Sequence, residues 1–331
     1  MQITEKAWNN YIKKLSAVCN EAGAKMKAFV AKYGLSNQDA LLRYAMRLVQ
    51  QYGEGSAALA CEMYDEIAAL SGADVPPAEP AEVASQHEVA KGVIGSLKQS
   101  PSGNLIDTVV NRLVKRAGAD TTLKNAVRDQ CEFAWIPSGD TCSFCFMLAS
   151  AGWRKAGPKT LSGDHAEHIH AHCDCQYCVR FDSKTEIKGH NPKALKAEWD
   201  SLTGKTSEEK RRAYRQKMEL KKRQDEFIIE LEGNSSEVFK KQAPGGLKEN
   251  LEKMGFDVKP LGRGGLKGVT FEEGGGYKTD YGGNGYIQYH PSEGSHHDGA
   301  YYKISNAKQG KRWFRLNGDE FDGRKRGRKE I

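Results

Sequence analysis

The chain has 331 residues, 38% of them hydrophobic, and a net charge of +7; its mean hydropathy is −0.67. That length exceeds the usual single domain, so two or three modules are expected, and no apolar stretch approaches the roughly 20 residues of a membrane span. The excess of positive charge gathers in 205–223 and in the tail Arg324-Lys-Arg-Gly-Arg-Lys329. Such runs can contact phosphates, although a solvated helix face and a frayed end are the plainer reading.

Residues 1 to about 70 read as helices. Ser36-Asn-Gln-Asp39 resembles a capping box, and Leu41, Leu42, Ala45, Met46, Leu48 and Val49 then recur at helical spacing until Gly53. A second helix is expected after it, with Leu59, Ala60, Met63, Tyr64 and Ile67 on one face. Pro76, Pro77 and Pro80 make 71–80 a loop. A further helical block begins near Glu82 and carries Leu105, Ile106, Val109, Val110, Leu113 and Val114 as a core face.

Five of the eight cysteines and four of the nine histidines then fall between Cys142 and Cys178. The segment reads Cys142-Ser-Phe-Cys145, followed by His170-Ala-His172-Cys173-Asp-Cys175-Gln-Tyr-Cys178. Thiolate and imidazole together select zinc or a similar ion, and structural zinc sites draw paired ligands from two separate turns. A CxxC redox pair would want a strand before it and a helix after it; Phe146-Met-Leu-Ala149 could begin such a helix, but Pro137-Ser-Gly-Asp140 is turn chemistry, and HxHCxC has no use in a dithiol enzyme. Disulfides would imply a secreted chain, yet Met1–Trp8 lacks an apolar signal segment. Tetrahedral coordination takes four ligands. Cys142 and Cys145 are one half, while His170, Cys173 and Cys175 compete for the other, with His172 and Cys178 in reserve. Protein side chains can fill all four places, so the expected zinc is structural. Asp164-His165 and Glu167-His168 read as support for the ligands through hydrogen bonds. Cys19 and Cys61 fall in helical segments and read as buried apolar thiols.

Residues 192–232 read as a long charged helix or helical hairpin, too poor in apolar residues for a deep core. Beyond Gly233-Asn234, glycines punctuate strand-like pieces at Tyr286–Tyr289, Ala300–Ile304 and Arg312–Leu316, with a turn signal at Leu316-Asn-Gly-Asp319. The expected fold is therefore multidomain. A mainly α N-terminal domain (1–190) ends in a Cys/His zinc knuckle. A charged helical connector (191–233) and a small Gly-rich α+β module (234–331) follow.

The stretch Trp135–Gly152 with its CxxC, followed by His170-Ala-His-Cys173-Asp-Cys175, resembles the minor head proteins of tailed bacteriophages. These form the Mu-type head morphogenesis family, marked by CxxC and then HxxCxC. Val49–Gly53 and Ala57–Asp65 are similar to the helical part of actinobacterial-phage members. The resemblance covers about residues 1–180 and carries over Cys142, Cys145, His170, Cys173 and Cys175; His172 and Cys178 depart from it. It implies a structural protein in few copies, docked on portal and major capsid or scaffold proteins during procapsid assembly in the bacterial cytoplasm, and residing in the phage head. Nucleic acid is a further expected partner, through the basic connector and tail.

Relatives carry variable C-terminal domains, some resembling polymorphic toxins. Here Gly294-Ser-His296-His297-Asp-Gly-Ala-Tyr301-Tyr-Lys303-Ile-Ser305, then Lys311-Arg312-Trp-Phe-Arg315, is similar to metal-independent RNases of the barnase and colicin type. That alternative implies a capsid-delivered toxin effector with catalysis at His297, Lys303, Ser305 and Arg312. Histidine would move the proton, Lys303 and Arg312 would stabilise the anionic phosphorus centre, and Ser305 would bind a phosphate oxygen. Strand alternation puts Tyr301, Lys303 and Ser305 on one face, with Arg312 expected to face them from the neighbouring strand. No GxSxG, HExxH or Walker sequence is present. A third reading, a zinc-knuckle nucleic-acid-binding protein, rests on the positive charge.

Overall fold

The computed structural model describes residues 2–3, 5–138, 141–161, 175–293 and 297–324. The chain divides into two compact units, Met1–Ala213 and Tyr214–Ile331. The first is helix-rich and the second contains a small sheet.

In the first unit, β1 (Gln2–Ile3) leads into α1 (Glu5–Tyr33) and α2 (Gln38–Ser71). The two helices expected across 38–71 are a single one of 34 residues. Its N-cap is Asn37, whose side chain accepts from the Ala40 N–H at 3.0 Å. Gly53 does not end this helix. A Cβ there would lie 2.8 Å from Val83 Cγ1, so the glycine exists to let the following segment close onto the helix.

The proline-rich stretch is a loop, as read, and it is bound along its length to a later helix. α3 (Gln86–Gln99) and α4 (Ile106–Arg128) follow it. Asn125 of α4 accepts from Glu79 N at 2.9 Å and donates to Glu79 O at 2.8 Å. Thr121 accepts from Ala81 N, and Arg128 donates to the carbonyls of Pro76 and Pro77. Buried Thr121 and Asn125, with the more exposed Arg128, thus supply hydrogen-bond partners to a loop whose prolines lack N–H groups. Asn111 of α4 donates to Asn20 of α1 at 3.0 Å. Gly118 admits Ser56 of α2 where a Cβ would meet its Oγ at 2.8 Å.

α3 opens with a capping box between Ser85 and Glu88. The Ser85 backbone N–H, and after it Arg116 at 2.8 Å, hold the Glu88 carboxyl down to about 2. A carboxylate depressed in the folded state stabilises above its unfolded value near 4.5, and that contribution disappears as the pH falls towards 2. We expect protection of α3 to weaken in that acid window by hydrogen exchange, and Ser85→Ala to cost about 1 kcal/mol at neutral pH.

Beyond α4 lie β2 (Glu132–Ile136), α5 (Ser143–Ser150), β3 (Arg154–Lys155), α6 (Pro158–Leu161), β4 (Gln176–Arg180) and β5 (Glu186–Ile187). β2 is central in a three-stranded antiparallel sheet, and β1 pairs in parallel with β5. One continuous core joins α1, α2 and α4 to this sheet, with Trp8, Met26, Tyr64, Phe133, Trp135 and Tyr177 all buried. α7 (Pro192–Ser201) is capped by Asn191, whose side chain accepts from Ala194 N. The charged segment is therefore α7 and then a separate α8 (Ser207–Gly233), along which only Tyr214 and Leu231 are buried among the described side chains. The division between the units falls inside α8. Among the described residues, no helix is long and apolar enough to cross a membrane.

The second unit adds α9 (Ser235–Lys241), α10 (Pro244–Lys253) and six strands: β6 (Lys259–Pro260), β7 (Tyr277–Gly282), β8 (Gly285–His290), β9 (Tyr301–Asn306), β10 (Gly310–Arg315) and β11 (Glu320–Phe321). They form an antiparallel meander in chain order. Gly283 and Asn284, with φ of 55° and 63°, make the primed turn that joins β7 to β8. One sheet face packs Tyr277, Ile287, Tyr302, Ile304 and Phe314 against Val238, Phe239, Leu247 and Leu251 of α9 and α10.

Candidate metal centre

The first CxxC cysteine caps a helix. Cys142 is the N-cap of α5, and its Sγ accepts from the Cys145 N–H at 3.4 Å. An amide donor and the positive end of the helix both favour negative charge on that sulfur. Cys145 is buried one turn on, while Cys142 is half-buried. A strand, β2, does precede this turn, contrary to the sequence expectation. Its four apolar residues, Phe133 to Ile136, are all buried, so they lack the alternation that marks a strand with a wet face.

Cys175 reaches the same end of β2 by a different route. It immediately precedes β4, which pairs with β2 in the register Ile136↔Gln176 and Trp135↔Tyr177. Its Sγ lies 3.4 Å from the Ser138 N–H and 3.9 Å from Ser138 O. The ladder therefore carries the third sulfur to the loop that leads into Cys142. His170, His172 and Cys173 lie outside the described residues, as do the two Asp/Glu-His pairs expected to support the ligands. Among the described residues, no three His, Cys, Asp or Glu side chains converge as a metal site, and no disulfide joins two described cysteines. In donor type, the three sulfurs fit a soft divalent ion such as zinc.

Cys19, Cys131 and Cys178 belong to the core. Cys178, opposite Ala134 in the ladder, lines a small space with Tyr11, Met63, Tyr64 and Ile67. Burial pushes its thiol well up, which disfavours the thiolate a metal needs. Cys131 is also pushed up by burial, to about 11, and lies 3.6 Å from the Tyr64 hydroxyl. Cys19 is buried as expected, whereas Cys61 is half-buried.

In the second unit three of the four expected catalytic residues lie on strands and divide between two faces of the sheet, and His297 lies in the bend before β9. β9 and β10 pair as Trp313↔Lys303, Lys311↔Ser305 and Arg312↔Ile304. Directly opposed residues share a face, so Arg312 lies with Ile304 on the helix-covered side, and Lys303 and Ser305 lie on the other. Arg312 is bound there to Glu320 at 2.9 and 2.6 Å and to Ser235 Oγ at 3.3 Å. The expectation that it faces Lys303 and Ser305 is corrected. His297 packs edge-on to Tyr301 and Phe321, at 5.0 and 5.4 Å between ring centres. The structure does not assemble the four into one site.

The described fold is thus a helix-rich unit with a thiol-capped turn and a buried ladder, followed by a small strand-containing unit. A family model described as VG15 protein matches residues 2–202. The chain belongs to that family, a family of viral gene products. No curated protein and no solved structure matches it significantly.

Proposed function

We propose that the chain is a minor head protein of a tailed bacteriophage, docking beside the portal during procapsid assembly, with a structural zinc ion bracing its N-terminal unit. The family match carries this reading, because its 2–202 span takes in the whole cysteine block. The chemistry of that block supports it. Cys142 and Cys145 would supply one edge of the tetrahedron, and Cys175 with His170 or Cys173 the other. Four protein ligands leave no position for a catalytic water, so the ion would tie the α5 turn to the β2–β4 ladder without reacting.

The test is particle composition. Purified heads of a phage encoding this chain should contain it in far fewer copies than the major capsid protein, and a deletion should yield fewer filled heads. Absence of the chain from both heads and procapsids would defeat the proposal.

A further inference from the structure

The face of the C-terminal sheet turned away from α9 and α10 is not an ordinary polar surface. The register runs one row across four strands as Lys278, Gln288, Lys303 and Trp313, and the next as Asp280, Tyr286, Ser305 and Lys311. A glycine-rich segment, 262–265, rises beside these rows and brings Arg263 to them, enclosing a groove of about 500 Å³. Four basic side chains line it, Arg263, Lys278, Lys303 and Lys311, against one carboxylate, Glu293. Lys278 is ion-paired with Asp280 at 2.7 Å. Among the described residues, Arg263, Lys303 and Lys311 make no ion pair.

Aromatic rings stand between the charges. Lys278 and Lys303 lie 5.2 and 5.7 Å from the Tyr286 ring centre, and Lys303 lies 5.9 Å from that of Trp313. Both rings are half-buried. Strands about 4.8 Å apart put the Cα atoms of Lys278 and Lys303, two strands removed, about 10 Å from one another. Cationic side chains on neighbouring strands, interleaved with the Tyr286 and Trp313 rings, match a chain that alternates phosphates with bases.

We propose that this face binds single-stranded nucleic acid. Arg263, Lys303 and Lys311 contact phosphates, Tyr286 and Trp313 stack on bases, and Gln288 offers hydrogen bonds to a base edge. An acidic peptide would satisfy the cations and leave the rings without a role. A duplex hides its bases from them. The site is distinct from the charged helix and basic tail that the sequence singles out.

The test is fluorescence anisotropy of the full chain with labelled oligothymidylate, oligouridylate and a duplex of equal length, across a salt series. Both single strands should bind more tightly than the duplex, and their relative affinities tell DNA from RNA as the preferred source of that chemistry. Replacing Lys303 and Lys311 together with alanine should weaken binding at least about tenfold and flatten the salt dependence by about 1.4 in log–log slope, at about 0.7 per lost phosphate contact. Tyr286→Ala should cost about tenfold, and Lys303→Arg should retain binding. Trp313 fluorescence should be quenched by the strand, a signal that Trp313→Phe removes. Lys311→Ala alone, at an exposed position, guards against misfolding of the double variant. The proposal is overturned if the duplex binds as well as the single strands. It is equally overturned if neutralising Lys221 and Lys222 on α8 abolishes binding that the Lys303/Lys311 variant keeps, or if no oligonucleotide binds.

Discussion

Cys145→Ala should release one equivalent of zinc from the purified chain and loosen the N-terminal unit by an amount on the order of several kcal/mol. Cys145 is almost wholly buried, so its replacement by alanine would remove one proposed ligand and leave a small void, while the backbone N–H that holds the Cys142 sulfur stays in place. Cys142→Ala should also strip the metal, and it removes the N-cap of α5 as well. The control is Cys178→Ala. That thiol is buried among Tyr11, Met63 and Tyr64, so its removal should cost core packing, about 1–2 kcal/mol, while zinc is retained. Metal analysis by mass spectrometry and urea unfolding with and without a chelator decide the matter. A chelator should destabilise the wild type and leave Cys145→Ala unchanged. If the wild type carries no zinc, or if Cys178→Ala loses it as readily, the paired-turn site is wrong.

Sequence periodicity made much of the helical unit legible, because α1 and α2 each bury one stripe, whereas α4 is buried on most of its sides. The single α2 was misread at Gly53 because glycine usually weakens a helix interior. Only the structure shows Val83 occupying the space that a side chain would take. The β2–β4 ladder was missed for a different reason. Four consecutive buried apolar residues have no period to detect, and their partner strand comes some forty positions later. At the candidate metal centre the CxxC turn was readable from spacing alone. The approach of Cys175 to Ser138 was not, since it depends on that ladder. In the second unit β8, β9 and β10 were visible in their aromatic and β-branched content, but β6, β7, β11 and the register were not. The loop 307–309 between β9 and β10 sets Arg312 opposite Ile304, and a shift of one residue would have put it on the other face. The basic and aromatic rows of the outer face were hidden by the same limit, because Lys278, Lys303 and Lys311 become neighbours only once the meander is registered.

Phe239→Ala should be the most damaging single change in the second unit, at about 3–5 kcal/mol. The ring is fully buried, stacks on Tyr302 at 4.3 Å and 12°, and packs against Phe314 at 5.2 Å. It thereby fastens α9, seven residues long, to the neighbouring strands β9 and β10. So short a helix has little stability of its own, and its place depends on that ring. Against a net stability of about 5–15 kcal/mol for a typical domain, such a loss leaves the unit close to unfolding. Hydrogen exchange should report much faster exchange in peptides spanning β8 to β10. Phe239→Leu, which keeps much of the volume, should cost under about 1.5 kcal/mol. Arg312→Ala removes a partly exposed ion pair with Glu320 and should cost no more than about 1 kcal/mol. If Arg312→Ala proves the more disruptive of the two, the second unit is held by its polar rim, and the aromatic stack is not its keystone.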